Sequence, residues 1–373
     1  MFKIALLSSA LLLSTLGFSQ NEFTFDFFNT IEDQENILFS PTSIKTAFAM
    51  AYEGTNGSTQ KEFEKVFNFT ENNADFLAEI KQLKKVAQIS NSIWVQDNYK
   101  ILDSFIKVLK NNFDSEPYRT DFGKDPKGSA KKINDWIEVS TNGMIKKMLS
   151  AADVAEFKLA IVNAIYFKQN WKKPFEKDAT IKADFTNADG IKIEVDMMHA
   201  SDHYNALEGR NEKVIELPYD DDKTSMVIIL PNKIKNYKMT HKVYSDLNAK
   251  LVNQRVNLDL PKFTYETPTF KLKGYLEKMG LISAFTDAAN FSGIRTERDL
   301  MIGTALHKAK IIVNEEGTEA AAATVIGMIV TSSISVKPDP ILNIRVDKPF
   351  YYFIKDNQSN TILFMGRMNE MAL

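Results

Sequence analysis

The chain carries few side chains capable of acid–base or metal chemistry. It has four histidines, His199, His203, His241 and His307, and no cysteine, so thiolate metal sites, cysteine nucleophiles and disulfides are excluded. His199 and His203 are four residues apart, a spacing that places two metal ligands on one face of a helix. However, the surrounding MMHASDHYNAL has no helical pattern and lacks the glutamate of an HExxH motif. We therefore expect no metal and no cofactor.

Motifs for hydrolysis and nucleotide binding are absent as well. The sequence contains no G-x-S-x-G, no P-loop and no G-x-G-x-x-G. His307 can in principle act as the general base for a serine, which leaves a hydrolase as one hypothesis. The alternative is a buried histidine hydrogen-bonded to polar core residues, and the apolar residues around His307 favour it.

Hydrophobic periodicity predicts helices in the first half of the chain. Apolar residues recur every three or four positions in 74–89, 101–113 and 129–150. In the last segment the apolar positions are Ile133, Trp136, Ile137, Met144 and Met148.

The second half changes to strand patterns. The mostly apolar run Lys158–Phe167 predicts a strand covered on both faces, and 225–231 is similar. Residues 351–366 predict two strands joined by a polar turn at Asp356–Asn360. Since helices and strands do not alternate, and no linker or repeat interrupts the chain, we predict one α+β domain.

The overall charge gives no general attraction to nucleic acid or to anionic membranes, because the formal net charge is only -2. Lys81, Lys84 and Lys85 lie on a predicted helix and raise a heparin-like polyanion as a partner. We interpret them instead as a solvated helix face and expect neither a polyanion nor a nucleic acid.

The first residues have the layout of a secretory signal peptide. Lys3 precedes an apolar run from Ile4 to Leu16, and small residues stand before Gln20. This predicts a signal peptide over 1–19 and a secreted or periplasmic protein without a stable membrane anchor. The alternative is a leader that is retained as an anchor.

One uncharged segment near the C-terminus needs an explanation. Within Asn314–Pro340, the residues from Ala320 to Val336 contain no charge and no proline. If 318–331 forms a strand, its small side chains and free N–H groups would let it enter the middle of a sheet. The alternative is that Val325–Val330 is a permanent core strand with an alanine-rich lead-in.

Several motifs resemble the serpins, the serine protease inhibitor family, over essentially the whole mature length, 20–373. VNEEGTEAAAAT resembles the serpin hinge, IRVDKPFYYFI the family signature and ILFMGRM the C-terminal strand. NILFSPTSIKTAFAMAYEGTNGST, INDWIEVSTNGMI and LAIVNAIYFKQNWKKPF occur in the family's order and spacing. The resemblance implies a single α+β domain, with about nine helices around three β-sheets and an exposed reactive-centre loop.

The resemblance also implies a mechanism, for which serpin loop insertion is an established example. The hinge and reactive-centre loop, 314–340, would be bait for a serine protease, and a cysteine protease is a further implied target. After cleavage and acyl-enzyme formation, the loop would insert into the central sheet and distort the protease irreversibly. The protein would act as a monomer and would not be an enzyme.

Individual residues match three regions of the family. The hinge would consist of Glu315, Gly317, Thr318, Glu319, Ala320, Ala321, Ala322, Ala323 and Thr324. Gly317 would be its flexible pivot, and Thr318 its first inserting side chain. The shutter beneath the sheet opening would consist of Ser40, Ser43, Asn163 and His307. The breach at the top of the sheet would contain Trp171 and Lys262, with Lys262 paired to Glu315.

Counting from the hinge places the scissile bond at Thr331–Ser332, with Met328, Ile329, Val330 and Ser333 as alternatives. No Arg or Lys lies close to this bond. We therefore expect an elastase-like or subtilisin-like target rather than a trypsin-like one.

A second hypothesis is a non-inhibitory serpin that acts as a chaperone, carrier or structural protein. Such members often carry bulky, charged or proline residues in the hinge, whereas Thr318 and four alanines stand here. The sequence therefore favours the inhibitor.

Overall fold

The computed structural model describes residues 21–31, 36–70, 74–83, 88–155, 157–318 and 340–371. Its helices are α1 (residues 21–28), α2 (Pro41–Tyr52), α3 (Gly57–Phe67), α4 (Ala74–Leu83), α5 (Asp103–Phe113), α6 (Pro126–Ser140), α7 (Ala151–Val154), α8 (His241–Asn248) and α9 (Lys273–Met279). The described ranges thus contain the number of α-helices that the resemblance implied. None of these helices has the length and apolar character needed to cross a membrane.

The strands of the described ranges form two hydrogen-bonded sheets. The central sheet has the order β3 (Tyr118–Thr120), β2 (Gln88–Gln96), β4 (Leu159–Tyr166), β13 (Ile302–Val313), β14 (Gly317–Thr318) and β5 (Gln169–Asn170), with β11 (Phe263–Glu266) and β12 (Phe270–Lys271) also paired to β13. The second sheet has the order β1 (Ile37–Phe39), β17 (Ile362–Met368), β16 (Phe350–Asp356), β9 (Thr224–Pro231), β8 (Glu212–Pro218), β7 (Lys192–Glu208), β10 (Val252–Pro261) and β15 (Leu342–Arg345), and β6 (Ile181–Thr186) pairs with β7.

The resemblance implied three sheets, but the second sheet is continuous because β7 is unusually long. The first part of β7 pairs with β6, its middle with β10 and its last residues with β8. One strand therefore belongs to two groups of strands that would otherwise count as separate sheets.

Two of the three predicted helices are shorter than their apolar patterns. The helix predicted over 101–113 is confirmed as α5, but the prediction over 129–150 is wrong beyond Ser140, where α6 ends. Asn142 and Gly143 there take left-handed backbone angles, with φ of 50° and 79°. Met148 is buried from an irregular segment rather than from a helix. The third helix ends at Leu83, and the predicted helical residues Gln88 and Ile89 instead begin β2.

The strand predictions are confirmed. Residues 158–167 contain β4, whose described side chains are buried, as its uninterrupted apolar run requires. Residues 225–231 lie within β9, and 351–366 contain β16 and β17 on either side of the polar turn.

Helix α2 passes directly beneath the central sheet. Ser40 caps its first turn by accepting a hydrogen bond from the backbone N–H of Ser43, and Pro41 opens the helix. Every residue of α2 is buried, so the helix lies inside the molecule rather than on it. It thereby carries the side chains of its N-terminus to the inner face of β4 and β13.

Candidate functional site at the hinge and the central sheet

Strands β4 and β13 form a closed seam in the centre of the central sheet. They pair directly and in parallel, from Leu159 opposite Ile302 to Tyr166 opposite Lys310. An additional central strand would have to enter between them, so it would first have to separate this seam. The described residues therefore show the sheet without an inserted strand.

The predicted shutter residues meet under this seam. His307 on β13 lies opposite Asn163 on β4, and its Nδ1 is hydrogen-bonded to the Oδ1 of Asn163. The Nδ2 of Asn163 donates in turn to the Oγ of Ser43 and to the Oδ1 of Asn91. The backbone N–H of Ser40 donates to the Nε2 of His307 at 3.1 Å. The structure thus brings all four predicted residues into one network and adds Asn91 from β2.

These contacts hold His307 in its neutral form. Its Nε2 must accept from Ser40, so the proton lies on Nδ1 and points at an amide oxygen. Burial lowers the pKa of His307 to about 3. Because the free lone pair is taken by a backbone N–H, His307 has none left to accept a proton from a serine hydroxyl. The geometry therefore opposes the hydrolase hypothesis.

The described residues of the predicted hinge, Glu315, Gly317 and Thr318, lie at the upper end of the seam. After β13 the chain turns at Asn314, whose side-chain oxygen accepts from the N–H groups of Glu316 and Gly317 at 3.0 and 3.2 Å. Thr318 then pairs with Val313 on one side and with Gln169 of β5 on the other. Strand β14 therefore occupies the gap between the ends of β13 and β5.

Gly317 is needed for close packing rather than as a pivot with unusual backbone angles. It is not among the described glycines with positive φ. A Cβ atom at this position would lie 2.3 Å from the backbone oxygen of Gln169 and 2.6 Å from the Cα of Asn170. Only glycine lets β14 approach β5 this closely. The expected role as a flexible pivot stays a prediction.

Thr318 is already in a buried position. Its side chain is 0% exposed, and its hydroxyl lies 2.7 Å from that of Tyr219. The ring of Tyr219 stacks on Trp171 with centroids 4.7 Å apart and planes 8° from parallel. The Nε1 of Trp171 donates to the backbone oxygen of Asn314 at 2.9 Å. We call Trp171, Tyr219 and Thr318 the hinge latch.

The predicted pair between Lys262 and Glu315 is present beside the latch. Their side chains are 3.0 Å apart, and Thr180 also donates to the carboxylate, at 2.9 Å. Burial acts to raise the pKa of Glu315, but its own backbone N–H, Lys262 and Thr180 outweigh that effect and hold the pKa below its usual range. Glu315 is therefore ionised at neutral pH and fixes the turn that precedes Thr318.

Two contacts at this site had no signal in the sequence. Tyr219 directly follows β8 and forms an isolated β-bridge with Trp171, and Thr180 follows a single turn of 3-10 helix at Lys177–Ala179. Neither residue type is unusual in such a position. A hydrogen-bonding residue opposite Thr318 can be anticipated only once the approach of β14 to β5 is known.

The remaining predicted hinge and bait residues lie outside the described residues. These are Glu319, Ala320, Ala321, Ala322, Ala323, Thr324, Met328, Ile329, Val330, Thr331, Ser332 and Ser333. The predicted signal peptide, 1–19, and the lysines Lys84 and Lys85 also lie outside them, whereas Lys81 is an exposed residue of α4.

The two histidines weighed as metal ligands lie on strand β7 rather than on a helix. The Nδ1 of His199 lies 2.8 Å from a carboxylate oxygen of Asp259 on β10, and His203 lies beside Asp202. Among the described residues no group of three His, Asp or Glu side chains is arranged to hold a metal ion.

Comparison with known proteins identifies the family. The model of the family "Serpin (serine protease inhibitor)" matches residues 18–371. This chain is a serpin. An uncharacterised serpin-like protein of Methanosarcina mazei is 35% identical over 371 residues, covering 94% of this chain and 86% of that protein.

Solved serpin structures share the fold. Uncleaved ovalbumin matches with a TM-score of 0.85 and 25% identity, covering 95% of this chain and 99% of its own. Human thyroxine-binding globulin complexed with its ligand matches with a TM-score of 0.85 and 26% identity, covering 97% and 100%. The predicted fold, a single α+β serpin domain, is therefore confirmed, with nine helices and mixed sheets in the described residues.

Family membership alone does not decide whether this chain inhibits proteases. Serpins are generally protease inhibitors rather than enzymes, but ovalbumin and thyroxine-binding globulin are non-inhibitory members. The choice between an inhibitory and a non-inhibitory serpin must therefore rest on the geometry of the seam and the hinge latch.

Proposed function

We propose that this serpin is an irreversible suicide-substrate inhibitor of serine proteases, with cysteine proteases as a further target class. The main observation that supports this proposal is the closed seam between β4 and β13, with Thr318 buried at its upper end. The loop that follows Thr318 starts at the one place from which it can extend downward between these two strands.

The composition of the following residues supports insertion. Residues 320–323 are all alanine, and 320–336 contain neither charge nor proline. A strand of this kind can make hydrogen bonds on both edges and place small side chains over α2 and under α6. Each added hydrogen bond contributes about 0.5–1.5 kcal/mol, so a new central strand of about a dozen residues can add on the order of ten kcal/mol.

A non-inhibitory carrier is the second candidate, because two of the structural neighbours are non-inhibitory serpins. A carrier does not need a hinge that can be buried. Here Thr318 and the four alanines supply one, and Gly317 permits the close approach of β14 to β5. We therefore place inhibition first.

For the target we propose an elastase-like or subtilisin-like protease. Thr331–Ser332 is the proposed scissile bond, and Met328, Ile329 and Val330 precede it. A trypsin-like enzyme would require Arg or Lys at the bond, and its negatively charged specificity pocket would be left unpaired by threonine.

The decisive experiment is incubation with elastase, subtilisin, chymotrypsin and trypsin, followed by denaturing electrophoresis. An inhibitor yields a covalent adduct that survives boiling in detergent with at least one enzyme, because the acyl bond is trapped. Mass spectrometry of the released C-terminal peptide then locates the scissile bond. Cleavage by every enzyme without any adduct would overturn inhibition and favour the carrier.

We also propose that the protein is exported and acts as a monomer. The predicted signal peptide over 1–19 supports export to the periplasm or beyond the cell. N-terminal sequencing of the cell-free and periplasmic fractions tests it, and a mature protein beginning near Gln20 is expected. Light scattering of the same material tests the monomer.

A further inference from the structure

A cavity of about 440 Å³ lies on the second sheet, next to the hinge latch, since Lys172 and Pro218, the chain neighbours of Trp171 and Tyr219, contribute to its lining. Its walls come from β7, β8, the turn before β9, and the end of β16, with Asn253 of β10 at the rim. The volume falls within the range of about 300–1,000 Å³ that is usual for small-molecule sites.

The floor of the cavity is a buried ion pair. The Nζ of Lys355 lies 2.8 Å from the Oε1 of Glu216, and the two side chains are only 10% and 13% exposed. Burial acts to raise the pKa of Glu216, but Lys355, Asn205 and Ser225 outweigh it and leave the pKa below its usual range. Glu216 is therefore ionised at neutral pH, and Lys355 compensates its charge within the protein.

The register of the strands aligns polar side chains beside this pair. Asn253 lies opposite Asn205, and Asn205 lies opposite Glu216, so one polar row crosses β10, β7 and β8. Ser225 lies opposite Lys355 and donates to the Oδ1 of Asn357 at 2.7 Å.

Several hydrogen-bonding groups in the cavity are still free for a ligand. Asn205 uses its Nδ2 on Glu216, which leaves its Oδ1, and Asn357 uses its Oδ1, which leaves its Nδ2. Lys355 gives two of its protons to Glu216 and Asn360 and retains the third. The amide of Asn253 has no hydrogen-bond partner within the described part of the chain.

The charges around the cavity cancel. Lys172 pairs with Asp222 at the mouth, as Lys355 pairs with Glu216 at the floor. The lining therefore does not select an anion or a cation. What it offers is a set of planar amide donors and acceptors beside the apolar Pro218. Hydroxyl groups, which both donate and accept, match such a set best.

We infer that this cavity is a binding site for a neutral polyhydroxylated ligand of monosaccharide size. The hydroxyls of the ligand bond to Asn205, Asn253, Asn357 and Lys355, and its carbon face packs on Pro218. This inference does not depend on protease inhibition, because its test measures sugar binding and not the fate of a protease.

The test is to titrate the full serpin with glucose, galactose, mannose and N-acetylglucosamine and to measure binding by calorimetry or ligand-observed NMR. Glycine and inorganic phosphate are the charged comparators. At least one sugar is expected to bind with a Kd of about 10 mM or lower and to raise the melting temperature with concentration. The comparators are expected not to bind.

Two substitutions locate the binding. Asn357→Asp keeps the acceptor for Ser225 but removes the free amide donor, and Asn253→Ala removes an exposed amide without any internal bond. Each is expected to weaken binding about tenfold, the usual size of one lost hydrogen bond. Asn111→Ala, at an exposed asparagine of α5 outside the cavity, is the matched control and leaves the Kd unchanged.

Three outcomes overturn the inference. They are no binding of any sugar up to about 100 mM, binding of the charged comparators instead, and sugar binding that neither cavity variant alters. Circular dichroism of each variant checks that any loss of binding is not caused by unfolding.

Discussion

The hydroxyl of Tyr219 lies 2.7 Å from the hydroxyl of Thr318, and both side chains are fully buried. This contact joins the turn after β8 to the first residue of the inserting hinge. Burial raises the pKa of Tyr219 above its usual value, so the phenol stays protonated and one of the two hydroxyls donates to the other. Thr318 of the predicted hinge is therefore already seated in the intact protein.

A double-mutant cycle measures what this contact contributes. Tyr219→Phe and Thr318→Val each leave the other hydroxyl buried without its partner, which costs about 1–3 kcal/mol in the free energy of unfolding. The double variant is expected to lose at least about 1 kcal/mol less than the sum of the single losses. Urea unfolding supplies the four values. Strictly additive losses would show that the two hydroxyls do not interact.

If the proposed inhibition holds, Thr318→Arg is expected to convert the protein from an inhibitor into a substrate. The side chain at 318 is 0% exposed, and an arginine there would bury a charge against Tyr219 and Trp171 without a counterion. Insertion then becomes slower than deacylation, so the protease cleaves the loop and leaves. The amount of serpin consumed per enzyme should rise and the detergent-stable adduct should disappear. Thr318→Ser, which keeps the hydroxyl, is the control; full inhibition by the arginine variant would contradict the hinge assignment.

Gly317→Ala tests whether packing fixes the hinge. The added Cβ would lie 2.3 Å from the backbone oxygen of Gln169, so β14 must move away from β5. We expect a loss of roughly 1–3 kcal/mol in the free energy of unfolding and faster proteolysis next to Thr318. Gly274→Ala is the matched control, because a Cβ there meets no atom within 4 Å. If both variants behave alike, the close approach has no energetic role.

The parts of this structure that could be predicted from sequence are those with local patterns. The apolar runs that became β4 and β9, and the periodicity of α5, each specify their own element. The ends of helices were harder to predict. Met144 and Met148 continue the apolar pattern of α6, although the helix itself has ended before Asn142 and Gly143.

The candidate site was predictable only through the family resemblance. His307 and Asn163 are far apart in the sequence and meet because β4 and β13 pair in one particular register. No periodicity encodes that register. Tyr219 and Asn91 were missed for the same reason, since their roles depend on which strands become neighbours.

The shutter histidine should make stability depend on pH. The pKa of His307 is about 3 in the folded protein, below the usual value of 6.5, so the unfolded state binds one more proton between these two values. The contribution of neutral His307 to the free energy of unfolding is complete above about pH 6.5. It decreases by about 1.4 kcal/mol per pH unit as the pH falls toward 3. Urea midpoints between pH 7.5 and 5 give the slope.

Two measurements separate His307 from the other histidines. In NMR spectra of the folded protein its ring should stay neutral, with the proton on Nδ1, down to about pH 5. His307→Gln, which retains one donor and one acceptor, should flatten the slope of stability, whereas the exposed His203→Gln should not. A His307 ring that titrates near pH 6.5 would refute the buried, neutral shutter.

Cleavage of the loop should make the serpin more stable. In the intact protein β4 and β13 share one ladder of hydrogen bonds along the seam. A strand inserted between them replaces that ladder with two, and the net gain of about ten hydrogen bonds and the newly buried side chains is on the order of 10 kcal/mol. For a chain of this size such a gain raises the melting temperature by about 10–20 °C. Calorimetry of intact and nicked protein measures this rise in melting temperature.

Nicked Thr318→Arg is the control, because its hinge cannot be buried and its melting temperature should stay near that of the intact form. Equal melting temperatures for the intact and nicked wild-type protein would mean that the seam never opens, and the carrier hypothesis would then account better for the fold.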